Sequence, residues 1–95
     1  MNGDRFRWDG EKAAANLHKH GVAFDKAIKA YHDPFVIEWV DDREDYVEER
    51  VNLLGMCDGT ILHVTYTERG DHIRIISARQ AEKHERDHYY RENAR

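Results

Sequence analysis

The sequence predicts an α+β domain, with helices laid on an antiparallel sheet, and three observations predict it. Asp9 and Gly21 bracket a helix-like stretch as N-cap and left-handed C-cap. Segments rich in branched and aromatic residues alternate in polarity between Phe35 and Ile76. Asp58-Gly59 between two of them is the signature of a two-residue hairpin. With 95 residues, the chain has room for one core, read as a single domain over 1–95. Hydrophobic residues make up 40 %, and aromatic residues recur along the whole length, which excludes a disordered chain.

Each element has its own justification. Arg5 to Trp8 is a short first strand. The helix from Asp9 to His20 ends with Lys19 and His20 against its negative end. Val22-Ala23-Phe24 connects it tightly to a second helix, Asp25 to His32, which Asp33-Pro34 terminates because Pro34 has no amide donor. Ala13, Leu17, Ala27, Ile28 and Tyr31 are expected to face a common core. Four strands follow as a meander: Phe35–Val40, Val47–Cys57, Ile61–Thr67 and Ile73–Ile76, the last two separated by a turn at Gly70-Asp71. Ser77-Ala78-Arg79-Gln80 has the S-x-x-Q spacing of a capping box and is expected to open a last helix carrying Ala81 through Tyr90. The predicted order is β-α-α-β-β-β-β-α.

Charge divides unevenly along the chain. The formal net charge is −4, made of +2 over residues 1–32, −7 over 33–58 and +1 over 59–95. A net acidic protein binds nucleic acid only through a local basic patch. The block Asp41-Asp42-Arg43-Glu44-Asp45 reads as a solvated loop, or as a docking surface for a basic partner. No apolar run has the length of a membrane span, and Met1–Asp4 carries no apolar signal segment, so a cytoplasmic protein is expected. Cys57, the single cysteine, excludes a disulfide within the chain and a cysteine-based zinc cage.

Several motifs invite chemistry. His84-Glu85-Arg86-Asp87-His88 matches H-E-x-x-H, but no convincing third ligand accompanies it, and it reads as a His-rich polar helix face with no metal or cofactor expected. His18 and His20, two apart on a helix, point away from each other. Arginines at strand ends say more. Arg69 shares parity with Ile61, His63, Thr65 and Thr67, Arg79 is expected to follow Ile73, Ile75 and Ser77 in the same alternating sense, and Arg74 interrupts an apolar strand. Arginines converging on one sheet face would hold a phosphate, with Arg86 and Tyr89 of the last helix extending the patch and Glu85 able to pair with a neighbouring arginine.

Those residues also carry a family resemblance. Trp8-Asp9, Lys12-Ala13, Asn16-Leu17, Lys19-His20-Gly21-Val22-Ala23-Phe24 and Asp33-Pro34 resemble the first half of the BrnT toxins. Glu49-Arg50, Gly55, Val64 to Arg69, Ile73 to Arg79 and Glu85-Arg86 resemble the second half. Two features depart from the family: an acidic net charge where RelE-like ribonucleases are commonly basic, and Ala23 where a helix-capping Ser is frequent.

The resemblance implies a toxin of a type II toxin–antitoxin system, with a RelE-like fold, that cuts RNA without a metal and inhibits translation. Its partners would be a BrnA-like antitoxin and RNA, with operator DNA reached only through the antitoxin and a dimer or heterotetramer formed with it. The chemistry expected is attack of a ribose 2′-oxygen on the adjacent phosphate. Arg69 and Arg79 would stabilise the transition state, His20 would move a proton, and Lys19 would hold phosphate. Glu49 and Glu85 are alternative bases, and Tyr66, Arg74, Arg86 and Tyr89 would contact substrate. A non-catalytic module that holds a basic partner through the acidic segment is the rival expectation.

Overall fold

The computed structural model describes residues 5–43 and 47–94. Its elements are β1 (Phe6–Arg7), α1 (Gly10–His20), α2 (Phe24–Tyr31), β2 (Ile37–Asp41), β3 (Arg50–Cys57), β4 (Thr60–Arg69), β5 (His72–Gln80) and α3 (Lys83–Glu92). The α+β class and the predicted element order both hold. Glu44 and Asp45 of the expected acidic loop lie outside the described residues.

The five strands form one sheet in the order β1-β5-β4-β3-β2. The meander from β2 to β5 is antiparallel, as expected, but β1 runs parallel to β5, pairing Phe6 with Ile73 and Arg7 with Arg74. Alternation of polarity fixes which face a strand buries and carries no information on its direction, so this edge was beyond the pattern.

The caps of α1 form as read. The Asp9 carboxylate accepts from the amides of Glu11 and Lys12 at 2.8 and 3.2 Å, and Gly21 takes φ 70° while its amide donates to Leu17. On α1 Ala13 packs on the core as expected, but one turn later Leu17 is exposed and Asn16 is buried in its place. The reason is polar. Nδ2 of Asn16 donates to the carbonyls of Val22 and Ala78, and its Oδ1 accepts from the Ala78 amide, so one side chain satisfies backbone groups from α1's exit and from β5.

Helices α1 and α2 cover one face of the sheet, over Leu53, Leu62, Val64, Tyr66, Ile73 and Ile75. Gly55 allows α2 to settle directly on β3, because a Cβ there would stand 2.1 Å from the Ala30 carbonyl oxygen. On the opposite face α3 covers only one end, where Leu54, Ile61, Ala81 and Tyr89 form a smaller cluster. The rest of that second face is open, and the polar residues of the meander lie on it.

Two expectations about β5 and α3 need correction. Ser77–Gln80 does not cap a helix: β4 continues to offer partners, pairing Leu62 with Gln80 and Thr65 with Ser77, and the strand runs on to Gln80. The capping residue of α3 is Glu82, whose amide donates to the Glu85 carboxylate at 2.8 Å. The alternation also breaks. Thr65 faces Ser77 while Tyr66 faces Ile75, which leaves Ile76 as an extra, bulged residue. Ile73, Ile75 and Ala78 therefore all reach the core, and Arg79 and Ser77 point to the face opposite Ile73 and Ile75.

Candidate active site

The open sheet face holds two adjoining hollows. The first, about 480 Å³, is lined by Trp39, Asp41 and Arg43 at the β2 side, Asn52 of β3, His63 and Thr65 of β4, Ser77 and Arg79 of β5, and Glu85 of α3. Register explains the grouping, since Trp39 pairs with Asn52, Asn52 with Thr65, Thr65 with Ser77, and His63 with Arg79.

Arg79 and Glu85 make a two-pronged ion pair at 2.8 and 2.9 Å. A further Arg79 N–H donates to the Gln80 carbonyl. These bonds leave two of the five guanidinium N–H donors for a ligand. Burial alone would raise the Glu85 carboxyl, but the Arg79 guanidinium and the Glu82 amide outweigh it and hold the pKa at about 2. Glu85 is thus a fixed anion that orients Arg79.

His63 stands at the centre, with Nε2 3.8 Å from the Glu85 carboxylate and its ring edge-on to Trp39. Burial lowers its pKa below the ordinary 6.5, repulsion from Arg79 adds to this, and attraction to Glu85 only partly offsets them. At neutral pH the imidazole is uncharged and able to accept a proton. Nearby, Thr65 donates to the Asn52 side chain at 2.7 Å, and Arg43 holds the buried Asp41 carboxyl well below the usual range.

The second hollow, about 390 Å³, gathers Lys12, Arg50, Arg69, Arg74, Glu48 and Thr67 with Val47 and Ile76. Arg69 is held there by Glu48 at 2.6 Å. A third, about 260 Å³, lies at the end of α1 with Lys19 and His20; it shares Ser77 with the first and Lys12 and Ile76 with the second.

Arg69, Arg74 and Arg79 therefore share a sheet face but do not converge on one point, because Arg69 and Arg79 are each drawn to a different carboxylate. Lys19 and His20 border the same region from α1. Four expected residues are not brought to it. Tyr66 is buried on the helix-covered face, where its hydroxyl donates to Glu38, so it presents no ring for a base to stack on. Tyr89 is buried beneath α3 with its hydroxyl donating to Asp33. Arg86 turns back to donate to the Ala81 carbonyl, and Glu49 is exposed outside both hollows.

The H-E-x-x-H residues take separate partners: Glu85 binds Arg79, and His88 stacks on Trp39 at 6.2 Å. Glu82, His84 and Glu85 do place one ligand atom each within 4.8 Å of one another, with Glu82 and His84 in solvent.

His63, Trp39 and Asn52 were not singled out by sequence reasoning. The signal for His63 was present, since its parity with Arg69 puts both on one face; Trp39 and Asn52 became visible only with the strand register.

Among the described residues no helix is long and apolar enough to cross a membrane. None of the curated proteins matches the chain. The family model described as the ribonuclease toxin BrnT of type II toxin–antitoxin systems matches residues 8–85 of the 95, a span that contains every residue lining these three hollows. The chain belongs to the BrnT family of type II toxin–antitoxin ribonuclease toxins.

Proposed function

We propose that this protein, on a RelE-like scaffold formed by the single domain 1–95, cleaves RNA at the first hollow without a metal and so arrests translation. The observation that carries the reading is the His63 imidazole, cross-strand neighbour of Arg79 and 3.8 Å from the Glu85 carboxylate that orients that guanidinium.

His63 removes the proton of a ribose 2′-hydroxyl, and the 2′-oxygen attacks the adjacent phosphorus. Arg79 places its remaining N–H donors on the non-bridging oxygens, whose charge grows in the transition state. The bond to the 5′-oxygen then breaks, and that oxygen leaves with a proton from His20, which lines the third hollow where it joins the first at Ser77. The products are a cyclic phosphate and a 5′-hydroxyl. Lys19 and Arg69 supply positive potential along the bound strand.

A type II toxin is paired with an antitoxin. We assign that partner as a small, basic, BrnA-like protein that forms a heterotetramer with the toxin and carries the contact to operator DNA. The test is incubation of the purified chain with messenger RNA in EDTA, alone and as Arg79→Ala. Wild type is expected to cut and the variant to lose about a hundredfold in rate. Intact RNA with wild type, together with tight antitoxin binding, would leave a non-catalytic binding module instead.

A further inference from the structure

The second hollow plays no part in the bond-breaking step. Among the described residues, four cationic side chains, Lys12, Arg50, Arg69 and Arg74, line it with one carboxylate, Glu48. That excess stands out in a chain of formal net charge −4. Neither Lys12 nor Arg74 has a side-chain hydrogen bond or ion pair among the described residues.

A second, independent feature lies in the same hollow. Thr67 is 3 % exposed, and its Oγ1 is a buried polar atom with no hydrogen-bond partner. A buried hydroxyl left unpaired costs free energy, and native proteins leave few. Val has nearly the same shape without that cost, so a hydroxyl kept here points to a partner that arrives from outside. Thr67 is the cross-strand neighbour of Arg74, which brings the hydroxyl and a guanidinium to one place.

A donor set of hydroxyl, guanidinium and ammonium suits a ligand that only accepts hydrogen bonds and carries negative charge. Glu48 already holds Arg69 in the way such a ligand would, through both carboxylate oxygens. That pair is substantially exposed, at 45 % and 40 % of the side chains, and an exposed pair exchanges partners at little cost. RNA presents one phosphate per nucleotide, so a strand cut at Arg79 carries its neighbouring phosphates across this same face.

We propose that the hollow of Thr67, Arg74, Lys12 and Arg69 is a second phosphate subsite, which grips the RNA backbone beside the scissile bond and fixes which phosphate reaches Arg79. The subsite rests on the ribonuclease reading for its substrate. On binding, the phosphate replaces Glu48 on Arg69 and uncovers the Thr67 hydroxyl.

The probe is a fluorescent 2′-O-methyl RNA of about six nucleotides, which lacks the attacking hydroxyl, with affinity read by anisotropy over a range of salt. Arg74→Gln is expected to weaken binding and to lower the slope of log affinity against log salt by about 0.7. Thr67→Val is expected to weaken binding about fivefold while its melting temperature stays level or rises, an opposition that a purely structural threonine would not produce. Glu48→Gln is expected to tighten binding.

An unchanged affinity in Thr67→Val, or an unchanged salt slope in Arg74→Gln, overturns the subsite, as does a wild type that fails to bind the oligomer. Inorganic phosphate binding as tightly as the oligomer would place a free phosphate there and overturn the RNA assignment. Wild type that cuts RNA while all three variants bind alike removes the subsite and keeps the cleavage. Wild type that shows the expected binding pattern but leaves RNA intact does the reverse.

Discussion

His63 sits where burial and a neighbouring guanidinium act in the same direction, each favouring the uncharged ring. The consequence for activity has a definite sign. A base must be unprotonated, so on its acid side the cleavage rate is expected to rise with pH through a midpoint below 6.5. His63→Gln should flatten that limb and slow the reaction about a hundredfold, with initial rates from pH 4.5 to 8 as the measurement. A midpoint that persists in the variant would move the proton transfer to another group. At this scale the sequence was half legible. Arg74 was identifiable because charge inside an apolar pattern demands a reason, Arg79 because it stands at a strand end, and Glu85 through its own motif and its capacity to pair with an arginine. Tyr66 and Tyr89 misled because an aromatic residue reads alike whether it stacks a substrate base or fills a core, and only the face it takes separates the two.

Secondary-structure elements were legible wherever a backbone group needs a particular residue to end a run. Asp9, Gly21, Pro34 and Asp58-Gly59 all sit at the boundaries expected of them. The misreadings fall where a distant partner decides. Ser77–Gln80 satisfies a local capping rule, yet the neighbouring strand offers hydrogen bonds to the same residues and prevails. The bulge at Ile76 is likewise invisible to alternation, because it consists of a break in it. Gly55 gives the element scale its sharpest test. Helix α2 rests its Ala30 carbonyl where a Cβ would be, so Gly55→Ala must push β3 and α2 apart. The loss of stability is expected to be roughly 2–3 kcal/mol by chemical denaturation. A variant as stable as wild type would show that the two elements can separate freely.

Opposite signs adjoin on the open face, because the acidic segment supplies Asp41, Asp42 and Glu48 to the hollows that hold the arginines. The open face concentrates arginine where RNA is proposed to lie, while residues 33–58 carry −7. A basic antitoxin drawn by that segment should associate faster at low ionic strength. We expect its association rate to fall about tenfold between 50 and 500 mM salt, and Asp42→Lys with Glu49→Lys to remove most of that dependence, measured by stopped flow. A salt-insensitive rate would locate recognition elsewhere. The α+β class, the element order and the family were legible at this scale, because each draws on residues spread over the whole chain. The division of the arginines between two hollows was not, since it depends on which carboxylate lies nearest in space.

Asn16 has a consequence for how copies of this protein meet. By taking both the amide and the carbonyl of Ala78, it acts as a one-residue surrogate strand along the flank of β5. The flank of β5 is closed off at Ala78, and the sheet's margins are the two-residue β1 and, longer, β2. That strand leads into the acidic stretch, so two identical molecules would meet there with like charge. The same acidity that would recruit a basic antitoxin also guards a toxin made in excess against fibrillar self-stacking.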